Sequence, residues 1–301
     1  MSRFADLARN IVSNRAPVSA RWDRDDRPYR VVTVTSNKGG VGKTTIASNL
    51  AVYLRSVRPD LPVLLVGFDD QATLDRMFKG ARAIGGRSVR YALEAGTFEG
   101  SIQQGRYGVH YVPSSREVWK VKRGIKDALE LRSILERTGW EGLVVIDTKA
   151  DLEILTQNAI AASDLSIVVV KDQASLEQAE RVYEQLESLG LPQTQARVLL
   201  SLVNLRVKFA AEGEPDLLSV LLARIRERGF GLFESFISLS PKIESLHTNP
   251  EGSALPILEG APGSLVHTQF MQVTHEVLEL LGEWLPARRA TGPDPAARQV
   301  G

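Results

Sequence analysis

The chain has 301 residues, 43% hydrophobic and 24% charged, with a net charge of +1. That is enough for one large or two small globular domains. The balance excludes binding to nucleic acid or membranes through global charge and leaves only a local patch for such a role. The absence of cysteine excludes disulfides, thiolate zinc sites and iron–sulfur clusters and fits a reducing, cytoplasmic setting. No N-terminal apolar run reads as a signal peptide, and no stretch reaches the ~20 apolar residues of a membrane span.

Residues 1–28 are polar and arginine-rich, with Phe4, Leu7, Ala8 and Ile11 at helical spacing. They are read as a solvated extension carrying a short amphipathic helix over 4–12, with a DNA- or partner-binding arm as the alternative. From residue 29 the pattern changes. "RVVTVTS" (30–36) is a β-branched strand, and "KTTIASNLAVYLRSV" (43–57) places Ile46, Ala47, Leu50, Leu54 and Val57 on one helical face. Further strands are expected at 62–68, 108–113, 142–148, 165–172, 196–204 and 232–239, with helices at 175–190 and 264–285. Near-continuous apolar strands alternating with amphipathic helices predict an α/β fold, a single domain over 29–285. Its sheet of about seven mostly parallel strands carries helices on both faces. Residues 286–301, rich in Pro, Ala and Arg, are expected to be a disordered tail.

The first strand runs into "TSNKGGVGKTT" (35–45). A phosphate-binding loop needs a strand, a glycine-rich turn exposing backbone N–H groups, a lysine for the terminal phosphates, a hydroxyl for Mg²⁺, and a helix N-terminus. Gly39, Gly40 and Gly42 form the turn, Lys43 is the phosphate lysine and Thr44 the Mg²⁺ hydroxyl, with Val41 and Thr45 in the same loop. Asn37 stands where the usual phosphate-loop pattern has glycine. The chain is therefore expected to bind ATP and Mg²⁺.

"KGGVGKTT" resembles the deviant phosphate loop of the ParA/MinD family of ATPases, with Lys38 at the family's signature lysine. The resemblance implies a homodimer that sandwiches two ATP molecules, each Lys38 reaching the partner's phosphates like an arginine finger supplied in trans. "GFDDQ" (67–71) resembles the family's D-x-D-P-Q, with Gly67 in place of the first Asp and Asp70 in place of the Pro. By that likeness Asp69 organises the attacking water, and the missing first Asp implies slow hydrolysis or compensation by Asp70. "LVVIDTKAD" (143–151) resembles the Walker B strand, so Asp147 is the expected Mg²⁺ carboxylate; Lys149 and Ala150 depart from the family's prolines. Asn204 sits where relatives place an adenine-binding Asn, with an ordinary loop Asn as the equal alternative.

Missing cysteines argue against the iron-protein and arsenic-pump branches. The tail lacks the large apolar residues of a MinD-type membrane helix. The resemblance is closest to ParA-like ATPases, which are slow, partner-stimulated and bind DNA without sequence preference. It implies a role in segregating or positioning DNA or another large cargo, with a ParB-like or other activating partner. Candidate DNA-binding residues are Lys120, Lys122, Arg123 and Lys126 in one group, and Arg197, Arg206, Lys208, Arg224, Arg226 and Arg228 in another; a solvated face is the alternative for each. A nucleotide-gated binding module with little hydrolysis and a MinD-like membrane positioner are the competing readings. His110, His247, His267 and His275 show no metal spacing.

Overall fold

The structure, a computed structural model, describes residues 27–68, 73–79, 87–123, 125, 127–204, 217–243 and 254–282. The helix expected over 4–12, the tail over 286–301, and Asp69, Asp70, Lys126, Arg206, Lys208 and His247 lie outside the described residues. So do the side chains of Lys122 and Arg123.

Strand β1 (Tyr29–Thr35) leads through the glycine-rich loop into α1 (Lys43–Val57), then β2 (Val63–Gly67), α2 (Thr73–Phe78) and α3 (Val89–Ala95). A two-residue β3 (Gln103–Gln104) and β4 (His110–Val112) precede α4 (Glu130–Thr138), β5 (Gly142–Asp147), α5 (Ile154–Ala162) and β6 (Leu165–Val170). The chain closes with α6 (Gln173–Ser188), β7 (Ala196–Val203), α7 (Leu217–Glu227), β8 (Gly231–Ser238), α8 (Ile257–Gly260) and α9 (Leu265–Leu281). The strands make one sheet in the order β3-β4-β2-β5-β1-β6-β7-β8. All neighbours are parallel except β3 and β4. The seven expected strands are all present. The eighth, β3, is two residues long, too short to leave a periodic signal.

Every residue of β1, β2, β5 and β6 is buried, because helices cover both faces of a parallel sheet. Ile46, Leu50 and Leu54 of α1 pack with Phe270, Val273 and Val277 of α9 on one face, against Val32, Leu65 and Val145. Leu131, Ile134 and Leu135 of α4 and Ala159 of α5 cover the other face. Helices α6 and α7 extend that layer over β6, β7 and β8, with the rings of Tyr183 and Phe230 stacked 3.7 Å apart. Edge strand β8 is closed by α9. Glu276 accepts from the Glu234 and Ser235 amides at 2.7 and 3.0 Å, and Gln269 accepts from the Ser238 amide at 3.0 Å. Filling those amides removes a template for strand addition.

The central strand is anchored at its start by Asp164, which lies between α5 and β6. Its carboxylate accepts from the Val31 amide at 2.7 Å and from Arg27 at 2.7 Å, with Arg30 at 3.8 Å. Asp164 is 6% exposed, so removing the carboxylate takes the acceptor from the buried Val31 amide and the counter-charge from Arg27 and Arg30. Asp164→Ala is expected to destabilise the fold by about 3–5 kcal/mol in a urea titration, and Asp164→Asn by less, since the amide oxygen still accepts from Val31. Equal stability of all three proteins would show that the anchor is idle.

Candidate nucleotide site

The strand order reverses at β1: the chain reaches β2 and β5 on one side and β6, β7 and β8 on the other. A crevice outside the carboxyl ends of the strands forms at such a switch point, and residues 36–42 stand at its rim. Gly40 (φ 68°) and Gly42 (φ 94°) take left-handed conformations that side chains disfavour. Gly42 is also crowded, since a Cβ there would lie 3.2 Å from the Ser201 hydroxyl of β7. Val41 is fully buried and pins the loop. The Ile46 amide donates to the Gly42 carbonyl at 2.9 Å and opens α1. The amides of the helix's first turn are thereby directed at the loop, the geometry that receives phosphate.

Lys43 is buried, and its Nζ donates back to the Lys38 carbonyl at 3.0 Å. Thr44 and Thr45 occupy the first turn of α1 and are part-exposed. Their carbonyls accept from Ser48 and Asn49 at 2.7 and 2.8 Å, and Asn49 accepts in turn from the Ile257 amide at 2.8 Å. The C-terminal segment is thus tied to the loop's helix.

Lys38 does not extend into solvent. Its Nζ donates to both carboxylate oxygens of Asp172 at 3.0 Å. Asp172 is also the N-cap of α6, forming a capping box with Ser175. Burial by itself would push the Asp172 carboxyl up. The Lys38 ammonium and the Ser175 amide and hydroxyl outweigh it and hold the carboxyl below its usual range. The pair therefore persists above the usual carboxylate range and is lost as pH falls through the lowered value. Two further contacts reach the loop from the same place: Asn37 donates to Gln178 at 2.7 Å, and Lys171 donates to the Gly40 carbonyl at 3.3 Å. Sequence reasoning missed Lys171, Asp172 and Gln178. The D-x-x-S cap over 172–175 was readable, but its meeting with residues 37–40 needs the β1–β6 pairing.

Asp147 ends β5, fully buried, in register with Val34 of β1 and Gly67 of β2. It shares a face with Leu143 and Val145, which pack against α1, so strand alternation directs its carboxylate to the α1 side. Thr148 is held beneath the loop by a hydrogen bond to the Val34 carbonyl at 3.0 Å. A carboxylate and a threonine hydroxyl are hard oxygen donors that fit Mg²⁺, which keeps waters and phosphate oxygens for its remaining positions. No group of three or more His, Cys, Asp or Glu side chains among the described residues could hold a metal unaided. Asn204 follows β7 directly and is exposed, two residues after Leu202, whose φ is 54°.

The basic candidates among the described residues do not converge on one place. Lys120 is exposed and paired with Glu117 on a segment whose Val118 and Val121 pack beside α3. Arg224 and Arg226 lie on α7 and Arg228 just beyond it, at the opposite end of the sheet, where Arg228 pairs with Glu180. Arg197 on β7 reaches the Leu232 carbonyl at 3.4 Å. No helix among the described residues is long and apolar enough to cross a membrane.

Comparison with known proteins agrees with this geometry. A family model described as an AAA domain matches residues 29–195. The chromosome-partitioning ATPase Soj of Thermus thermophilus is 35% identical over 143 residues, spanning 47% of this chain and 55% of that protein. A ParA family protein of Mycoplasma pneumoniae is 21% identical over 269 residues, spanning 83% of this chain and 98% of its own length. The septum site-determining protein MinD of Pyrococcus horikoshii, solved with Mg-ADP, superposes with a TM-score of 0.64 at 22% identity, covering 86% of this chain and all of that one. With a glycine-rich loop between β1 and α1, an aspartate ending β5 and a family match over more than half its length, the chain belongs to the ParA/MinD family of P-loop ATPases.

Proposed function

We propose that the chain is an ATP-dependent dimerising switch of ParA type that positions or segregates DNA or another large cargo. The observation that carries this reading is Lys38: a second lysine beside a phosphate loop, held on its own chain by the carboxylate of Asp172. The loop amides and Lys43 would receive the β- and γ-phosphates, Lys43 exchanging the Lys38 carbonyl for phosphate oxygens. Thr44 and Asp147 would hold Mg²⁺, which neutralises phosphate charge when bound. Asp69, by its place in the motif, would orient the attacking water. Lys38 would leave Asp172 for the nucleotide of a second subunit, where a cation meets developing charge in a desolvated site. Hydrolysis, stimulated by a ParB-like or other partner, would return it to Asp172.

The proposed organisation is an ATPase domain over 29–285 flanked by an arginine-rich extension and a tail. Proposed DNA contacts are Lys120, Lys122, Arg123 and Lys126 in one group and Arg206, Lys208, Arg224, Arg226 and Arg228 in another; Lys120 and α7 lie at different ends of the sheet, so the dimer would have to bring the groups onto a common surface. Asn204 is proposed as an adenine contact because it leaves β7 at the carboxyl end of the sheet. A second reading, a nucleotide-gated module with little turnover, is favoured by Gly67, which removes one carboxylate from the motif.

Binding of nonspecific duplex DNA should require ATP over ADP or no nucleotide, and Lys38→Ala should abolish it while leaving ATP binding in place. DNA binding that ignores nucleotide, or that survives Lys38→Ala, would remove the trans role. Releasing Lys38 should favour the dimer. Asp172→Asn is expected to lower the protein concentration for ATP-induced dimerisation, read by light scattering, by about two- to fivefold per subunit. That is the factor an exposed pair of up to ~1 kcal/mol allows. An unchanged or higher midpoint would show that the pair does not oppose assembly.

A further inference from the structure

Three alternate carbonyls of the glycine-rich loop are each held by a donor. The Lys38 carbonyl accepts from Lys43 Nζ at 3.0 Å, the Gly40 carbonyl from Lys171 Nζ at 3.3 Å, and the Gly42 carbonyl from the Ile46 amide at 2.9 Å. In a planar trans peptide the carbonyl and the N–H that follows it point opposite ways, and no described peptide bond is cis. Holding these three carbonyls therefore fixes the direction of the Gly39, Val41 and Lys43 amides. Successive backbone amides of this kind are what a phosphate loop offers to an anion.

Two of the three donors, Lys43 and Ile46, belong to α1 itself. The third is 131 residues away in sequence. Gly40 has little else to hold it. Its φ of 68° is left-handed, yet a Cβ there would meet nothing within 4 Å. Glycine at 40 thus answers to backbone conformation and not to crowding, whereas at Gly42 the Ser201 hydroxyl stands 3.2 Å from the same point. Lys171 works from a fixed base. Its amide and that of Asp172 both donate to Ser175 Oγ at 2.9 Å, inside the cap of α6. The pairing of Thr35 with Val168 brings the residues after β6 beside the loop that follows β1.

We propose that Lys171 is a positioning residue for the bound nucleotide. Its ammonium holds the Gly40 carbonyl outward and so aims the Val41 N–H into the phosphate cradle. A cation on the carbonyl also polarises the peptide and makes its N–H a stronger donor. Lys171 acts through this peptide and does not touch phosphate. The loop amides meet the phosphates nearer the sugar, which ATP and ADP share, so its effect falls on both nucleotides alike. The inference rests on the nucleotide-site reading above, and it assigns to that site a residue outside the loop and its motifs.

The test uses the full chain, titrated with mant-ADP and with mant-AMPPNP. Lys171→Met keeps the length of the side chain and removes its donor and charge. Lys171 is part-exposed, so the variant is expected to fold. It is expected to raise the Kd of both nucleotides by about two- to tenfold, the scale of one modest hydrogen bond, and Lys171→Arg is expected to restore both. The distinguishing readout is the Val41 amide proton in a ¹H–¹⁵N spectrum. It should move downfield on ADP binding in the wild type and in Lys171→Arg, and by clearly less in Lys171→Met. Unchanged affinity in Lys171→Met overturns the proposal, as does a loss that spares the Val41 shift or one that arginine does not repair. A loss confined to mant-AMPPNP overturns it too, because it would mean direct contact with the terminal phosphate. A wild type that binds neither nucleotide overturns the nucleotide-site reading itself, and the role of Lys171 falls with it.

Discussion

The loop over 36–42 leaves β1 with parallel strands hydrogen-bonded on both sides, β5 and β6. It cannot shift along the sheet without breaking two ladders. That constraint places the left-handed Gly40 and Gly42 at a set height above the sheet and aims the first amides of α1 at one spot. Asp147 belongs to the same construction: its register with Val34 and Gly67 follows from the pairing that holds the loop. The ladders to β5 and β6 satisfy the backbone groups of β1, so the most buried part of the molecule can carry its most polar edge. Asp164 and the two arginines beside it secure the other end of the same strand.

The loop is not held by the sheet alone. Lys171, Asp172 and Gln178, from the end of β6 and the first turns of α6, reach Gly40, Lys38 and Asn37. Each contact is modest. Exposed ion pairs contribute little because water screens them and long side chains lose freedom. Modest strength suits a residue proposed to change partners, since a buried, fully satisfied ion pair would be costly to break. A triphosphate in a closed interface offers a stronger attraction to the Lys38 ammonium, because fewer water dipoles screen it there. Both the resting position of α6 and the freedom of Lys38 therefore depend on one carboxylate that also caps the helix.

Much of this was readable in the sequence. Seven of the eight strands left a readable run in the sequence, the central ones almost wholly apolar, and α1 and α6 carry clear 3.6-residue periodicity. The helix expected over 264–285 is seen as Leu265–Leu281, with residues from 283 outside the described set. Helix α6 begins two residues before the expected start, at the Asp172 cap. Lys43, Thr44 and Asp147 were picked out as candidates because phosphate and Mg²⁺ chemistry calls for such groups at the ends of a strand, a loop and a helix. The basic residues were legible as charges but not as a surface. Charge patterning says nothing about where helices dock, and among the described residues Lys120 lies beside α3 while Arg224 and Arg226 lie on α7 at the other end of the sheet.

Local order along the chain was enough for the class of fold and for the glycine-rich loop between β1 and α1, with Lys43 and Thr44 opening the helix. Those features depend on residues within about fifteen positions of one another, where backbone geometry and hydrophobic period act directly. Tertiary structure alone decided the rest. Asp172 meets Lys38 across 134 residues of chain because β6 pairs with β1. Gln269 and Glu276 find the amides of β8 because α9 lies along that edge. Contacts of this kind are made by strand order and helix packing, and no periodicity in a single sequence encodes which distant side chain will fill a given place.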